Sequence, residues 1–200
     1  MTKSMILRRA IIVLLLAMTG TLLYWSLYRK WTTETPFRVA IGGAFEMVSS
    51  KGGVVNSRDL VGTPYGMFFG FTHCPEVCPT TLYEMSESLR ALGDQAKDFR
   101  LFFVTIDPQR DTPEKLKDYL SSFDPRLEAL VPTIEQLPEI AKSFRVFYEK
   151  VPTSDGGYIM NHTATLYLFG RDGELRSTIA YGEERAARER KIKSVLADGT

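Results

Sequence analysis

Residues 67–71 read Met-Phe-Phe-Gly-Phe, a run without a single polar side chain. A short apolar run this rich in aromatics predicts a buried strand. Leu82, Met85 and Leu89 then recur at spacings of three and four, which predicts the inner face of a helix. The period changes across Thr72-His73-Cys74-Pro75-Glu76-Val77-Cys78-Pro79, and this strand-to-helix turn holds the only two cysteines of the 200 residues. The rest of the domain has to be arranged around it. A helix start offers unpaired N–H groups and the positive end of the helix dipole, both of which stabilise a thiolate. Cysteines at i and i+4 project the same way if the turn is helical. Their sulfurs could then share one soft metal ion or oxidise to a disulfide. Two thiolates alone make an incomplete metal site, so the metal reading demands a ligand from elsewhere. The plain alternative is two small buried residues that merely pack.

The elements around this turn follow in order. Residues 37–48 read as extended structure broken by Gly42-Gly43, and Ser49-Ser50-Lys51-Gly52-Gly53 turns the chain into Val54-Val55, a hairpin. A helical turn is expected at 56–60. The helix after the cysteines should run over 80–92 and stop near Gly93, and Leu101-Phe102-Phe103-Val104 reads as a second buried strand. Strand, crossover helix and strand make a parallel βαβ unit. Asp107-Pro108-Gln109-Arg110-Asp111-Thr112-Pro113 follows, with Asp111 or Thr112 as N-cap of a helix reaching about residue 123. Asp107, Arg110 and Asp111 fit a loop ion pair and a cap better than direct chemistry. A short strand at 127–131, a helix at 135–146, an extended piece at 147–151, an antiparallel hairpin from 163–169 to 174–179 and a charged helix at 183–196 complete the reading. This order resembles the thioredoxin-like α/β fold with an added N-terminal β-hairpin.

In that fold the residues just before the hairpin strand pack beside the cysteine turn. Here they are Met160-Asn161-His162-Thr163, where thioredoxins carry a proline. His162 therefore lands where a third ligand is needed. Two sulfurs and an imidazole suit copper and also zinc, and zinc would want a fourth ligand. His73 adjoins Cys74 but should project differently, and Met160 is better read as packing than as a thioether ligand.

Residues 69–82, the Asp107–Pro113 stretch and His162 ahead of Leu166-Tyr167-Leu168 together resemble the SCO/SenC family of membrane-anchored, copper-binding, thioredoxin-like proteins. The resemblance implies one copper ion per chain, as Cu+ or Cu2+, held by Cys74, Cys78 and His162. It implies a metallochaperone rather than an enzyme, serving the binuclear copper site of cytochrome c oxidase. The partner would be the copper-site subunit of that oxidase or another periplasmic copper protein. Two departures stand out. Glu76 occupies the place where the family usually has Asp, and Asn161 precedes the histidine where Asp is common. If that Asp tunes the imidazole, its loss would weaken copper binding or alter the redox balance.

Residues 10–28 carry no charge and, at about 1.5 Å per residue, just span a bilayer core of about 30 Å. Arg8 and Arg9 precede them, Arg29 and Lys30 follow, and Tyr24, Trp25, Tyr28 and Trp31 cluster at the far end as interfacial aromatics do. A cleaved signal peptide is the competing reading. The expected organisation is thus 1–31 as a cytoplasmic tip and single transmembrane helix, 32–36 as linker and 37–200 as the thioredoxin-like copper-binding domain. That places the domain on the periplasmic side of a bacterial inner membrane. A formal net charge of +1 gives no reason to expect a nucleic-acid partner.

Two other functions compete. In the first, Cys74 and Cys78 are a redox-active pair of a tethered thiol–disulfide oxidoreductase that keeps the cysteines of a copper site reduced. Its usual two-residue gap is three here, and His162 has no necessary task in it. In the second, a peroxidase, threonine should stand three residues before the reactive cysteine; Pro75 stands there instead.

Overall fold

No proline interrupts residues 3–32, and they form one helix, α1 (Lys3–Thr32), 30 residues long. The structure, a computed structural model, describes residues 3–32 and 41–197. The chain divides into two compact units, Met1–Val39 and Ala40–Thr200. Within the first, Ile12, Leu14, Leu16, Leu22 and Leu23 are all more than half exposed. The hydroxyls of Thr19, Thr21 and Ser26 turn back to carbonyl oxygens three or four residues earlier. Among the described residues no helix is long and apolar enough to cross a membrane. The linker expected at 32–36 begins at Thr32, which closes α1; its other residues, and the extended stretch expected over 37–40, lie outside the described residues.

The second unit begins with the expected hairpin. β1 (Glu46–Ser49) and β2 (Val54–Asn56) pair antiparallel with Met47 opposite Val55. A 3₁₀ turn, Ser57–Leu60, follows, its start capped by the Asn56 side chain. β3 (Tyr65–Gly70) is buried along its whole length. α2 (Val77–Leu92) starts three residues earlier than the pattern suggests and ends on Gly93, whose φ of 51° suits glycine. β4 (Arg100–Thr105) runs parallel to β3. α3 (Pro113–Leu120) is capped by Thr112, which accepts the Lys115 N–H. It ends at Leu120, three residues before the expected end, with Ser121 as its C-cap. β5 (Leu127–Val131) lies parallel to β4. α4 (Leu137–Ser143) closes at Arg145, a left-handed residue with φ of 56°.

β6 (Tyr148–Pro152) and β7 (Tyr158–His162) form an antiparallel hairpin of their own. β8 (Leu166–Phe169) and β9 (Leu175–Ile179) form another, and α5 (Arg185–Ala197) ends the described chain with Ile192 and Val195 buried. The main sheet has seven strands in the order β2-β1-β5-β4-β3-β8-β9, and β6-β7 stands apart as a two-stranded sheet. This is the thioredoxin-like arrangement with the N-terminal hairpin added at one side.

β3 and β4 lie centrally, and their Phe68, Phe69, Phe102 and Phe103 are fully buried. Each such side chain contributes about 1.5–3 kcal/mol by leaving water. Phe144, at the end of α4, packs its ring 5.3 Å from that of Phe69. One strand was illegible: β8 starts at Leu166 instead of residue 163, and residues 158–162 form β7. Ile159 and Met160 are adjacent apolar residues, so the segment lacks clean alternation. Its extended state comes from pairing with β6, a tertiary cause.

Candidate metal centre

The first half of the site sits where β3 ends. Phe71 is buried, the Cys74 N–H reaches back to the Phe71 carbonyl at 3.3 Å, and α2 begins at Val77. The residue before it, Glu76, makes no side-chain cap. The Cys78 N–H, one of the unpaired donors of the first turn, instead meets Cys74 Sγ at 3.3 Å. Pro79, also in the first turn, lacks an N–H that the helix would not have used. Sulfur thus does the capping, which ties the Cys74 side chain to the helix start. Cys78 is fully buried and Cys74 half-buried, and both are free thiols.

His162 closes β7 and supplies the second half. Its Nε2 lies 3.7 Å from Cys78 Sγ. Its Nδ1 is 2.9 Å from the Thr163 carbonyl oxygen, which can only accept, so the proton sits on Nδ1 and the Nε2 lone pair faces the sulfurs. The ring is held edge-on between Phe71 and Phe68, with centroids 5.8 and 6.3 Å away. The two sulfurs and the imidazole nitrogen all lie within 4.8 Å of one another. Bond lengths of about 2.3 Å to sulfur and about 2.0 Å to nitrogen place such donors roughly 3.5–4 Å apart, so the observed spacing fits one ion. Two soft sulfurs and one imidazole suit copper or zinc.

Charge is distributed unequally over the pair. The Cys78 thiol points its proton at Cys74, and together with the N–H groups of Cys78 and Glu76 this lowers the Cys74 pKa to about 4 against the opposing effect of burial. The same hydrogen bond and full burial push the Cys78 pKa upward. Cys74 is therefore the thiolate and Cys78 keeps the proton.

Cys74, Pro75, Val77, Phe147 and His162 line a cleft of about 370 Å³ that opens the site to solvent. Phe147 is 59% exposed at its rim. His73 is exposed and its Nδ1 turns to the Thr72 hydroxyl at 3.1 Å; it stands outside the donor group. Met160 is packed in the core. Asn161 is exposed and, one residue before His162, projects from the opposite face of β7. The tuning contact to the imidazole comes instead from the Thr163 carbonyl. Glu76 is exposed too, with the Tyr181 hydroxyl 3.5 Å from its carboxylate.

Two contributors escaped the sequence reading, the Thr163 carbonyl and Gly70. The second had a signal: a glycine inside a buried strand often marks a close approach.

Residues 33–197 match the SCO1/SenC family. The SCO2-like protein of Rickettsia felis is 38% identical over 138 residues, 68% of this chain and 67% of that protein. The human mitochondrial SCO1 homolog is 36% identical over 137 residues, 67% of this chain and 46% of that longer protein. Among solved structures, Bradyrhizobium japonicum ScoI with copper bound superposes with a TM-score of 0.73 at 44% identity, covering 78% of this chain and 99% of that chain.

Proposed function

The chain belongs to the SCO1/SenC family, and from that premise we propose that it is a copper chaperone in which Cys74, Cys78 and His162 hold one copper ion as cargo. The observation that carries this reading is the approach of His162 Nε2 to Cys78 Sγ, 3.7 Å across 84 residues of sequence. Copper bound to the Bradyrhizobium relative, at 44% identity, supports the choice of copper over zinc. The recipient in this reading is the copper-site subunit of cytochrome c oxidase or a similar copper protein.

The residues divide the work. Cys78, buried and backed by Phe103 and Gly70, is the fixed sulfur. Cys74 is already a thiolate, lies at the open side of the cleft and is the sulfur an incoming ligand can reach. His162 offers Nε2 while Thr163 holds Nδ1. Release then proceeds by exchange of donors, Cys74 being the one exposed to a competing thiolate.

The anchor expected from the uncharged residues 10–28 would, in this reading, leave the copper domain on the periplasmic side.

Titration of the reduced full chain with copper tests the proposal. One ion per chain is expected for the wild type, with loss of tight binding in Cys74→Ala and weaker binding with an altered spectrum in His162→Ala. Undiminished stoichiometric copper in reduced Cys74→Ala overturns it.

One observation favours a second reading: the unequal thiol pair. Cys74 thiolate could attack a partner's disulfide and form a mixed disulfide with release of one partner thiolate. Cys78 would then give up its proton and attack Cys74, leaving a Cys74–Cys78 disulfide here and two thiols on the partner. If His162→Ala keeps full biological activity while either cysteine change abolishes it, this reading replaces the first.

A further inference from the structure

Residues 107–111 do no chemistry in the reading above, yet they touch both halves of the centre. Asp111 is fully buried. Its carboxylate accepts the Thr72 hydroxyl at 2.5 Å, the Thr72 N–H at 3.1 Å and the Thr105 hydroxyl at 2.7 Å. Thr72 begins the cysteine turn, so that turn hangs from Asp111. Arg110 pairs with Asp107. It also donates to the Tyr158 carbonyl at 2.9 Å and lies 3.7 Å over the Tyr158 ring. The Tyr158 hydroxyl returns to Asp107 at 2.9 Å.

Tyr158 and His162 are the two ends of β7, and residues two apart on a strand share a face. Tyr158, Met160 and His162 therefore form one inward row, gripped at one end by Arg110 and offering its imidazole at the other. Phe71 links the ends, with Arg110 Cζ 6.0 Å from its ring centroid and the His162 ring edge-on at 5.8 Å. The β6-β7 hairpin shares no ladder with the main sheet, so backbone pairing to that sheet does not place His162. Side chains must.

We infer that residues 107–111 are a common mount for both halves of the centre, and that Arg110 is a positioning residue that sets where His162 stands relative to Cys78. The inference rests on the proposed role of His162 as a ligand. It concerns a residue that does not touch the ion.

The test uses the reduced full chain in two measurements. Copper affinity is read by competition with a chelator, and amide hydrogen exchange is followed on the metal-free chain. Arg110→Met is expected to lower copper affinity by about tenfold or more, the usual effect of removing a group that orients a ligand. Exchange should quicken across 148–162 while β3 and β4 keep their protection. In a His162→Ala background the same change should cost less than about threefold further, because residues that act through one another are not additive. Arg110→Lys keeps the charge without the planar fork and should recover only part of the loss. If Arg110→Met fails to fold, Tyr158→Phe removes only the hydroxyl bond to Asp107 and should move both readouts in the same direction. Unchanged affinity with unchanged exchange, or an equal loss with and without His162, overturns the mount. If the wild-type chain itself binds no copper, the proposed function falls, and exchange alone still decides on the mount.

Discussion

Gly70 and Cys78 occupy adjoining space with no room for one carbon more. A Cβ placed on Gly70 would lie 2.8 Å from Cys78 Sγ and 2.6 Å from the Phe103 ring. Both neighbours are fully buried, so neither can swing into solvent.

Gly70→Ala should therefore overpack the core beneath the site. A loss of about 1–3 kcal/mol in unfolding free energy is expected, the usual cost of an extra carbon in a close-packed interior. Copper affinity should fall as well, because the sulfur is what must move. Urea unfolding and chelator competition on the same variant check this; wild-type values in both would show that the pocket has slack.

Asn161→Asp should change copper affinity by less than about threefold. The side chain at 161 is exposed on the face of β7 opposite His162, and a charge in water is strongly screened. A tenfold gain in affinity would mean that residue 161 reaches the imidazole after all.

The unequal thiols predict a pH profile. With a pKa of about 4 rather than the ordinary 9.0, Cys74 is already ionised at pH 6. Alkylation of the reduced, metal-free chain should hit Cys74 first, at a rate that changes little between pH 6 and 8. An ordinary thiol would speed up by about a hundredfold over that interval. The linked effect on stability has a definite sign. The folded pKa is depressed, so the contribution of Cys74 is complete above pH 9 and is lost as pH falls through about 4. Cys78, shifted upward, opposes only above its ordinary pKa. Stability of the wild type should thus rise from pH 5 to 8 relative to Cys74→Ser, and parallel curves for the two would contradict the assignment.

Tyr119 gives a test of a different kind. Its hydroxyl is buried and has no hydrogen-bond partner among the described residues, while its ring packs 6.0 Å from Phe103 and 5.7 Å from Phe123. Removing an unsatisfied polar group without disturbing the ring should help. Tyr119→Phe is expected to gain about 1 kcal/mol in urea unfolding. A loss would reveal a partner such as a bound water.

The helix after the cysteines, the two parallel strands and the Thr112 cap were legible because each rests on local pattern. Apolar runs mark buried strands, three-and-four spacing marks a helix face, and threonine before proline marks a helix start. The β7 strand was not legible, since Tyr158 to His162 shows no alternation and becomes extended only against β6. That Asn161 lies on the face of β7 opposite His162 was not legible for a related reason. Which face of a strand a residue shares cannot be read before the strand is recognised.

Sequence alone determined the cysteine turn and its place between strand and helix, since these follow from residue types and spacings within a dozen positions. Tertiary structure decided how His162 meets the sulfurs. It set which imidazole nitrogen faces them, which carbonyl holds the other, and how Asp107, Arg110 and Asp111 brace both sides. Those contacts join residues up to 84 positions apart, and no local periodicity encodes a distance of 3.7 Å between them.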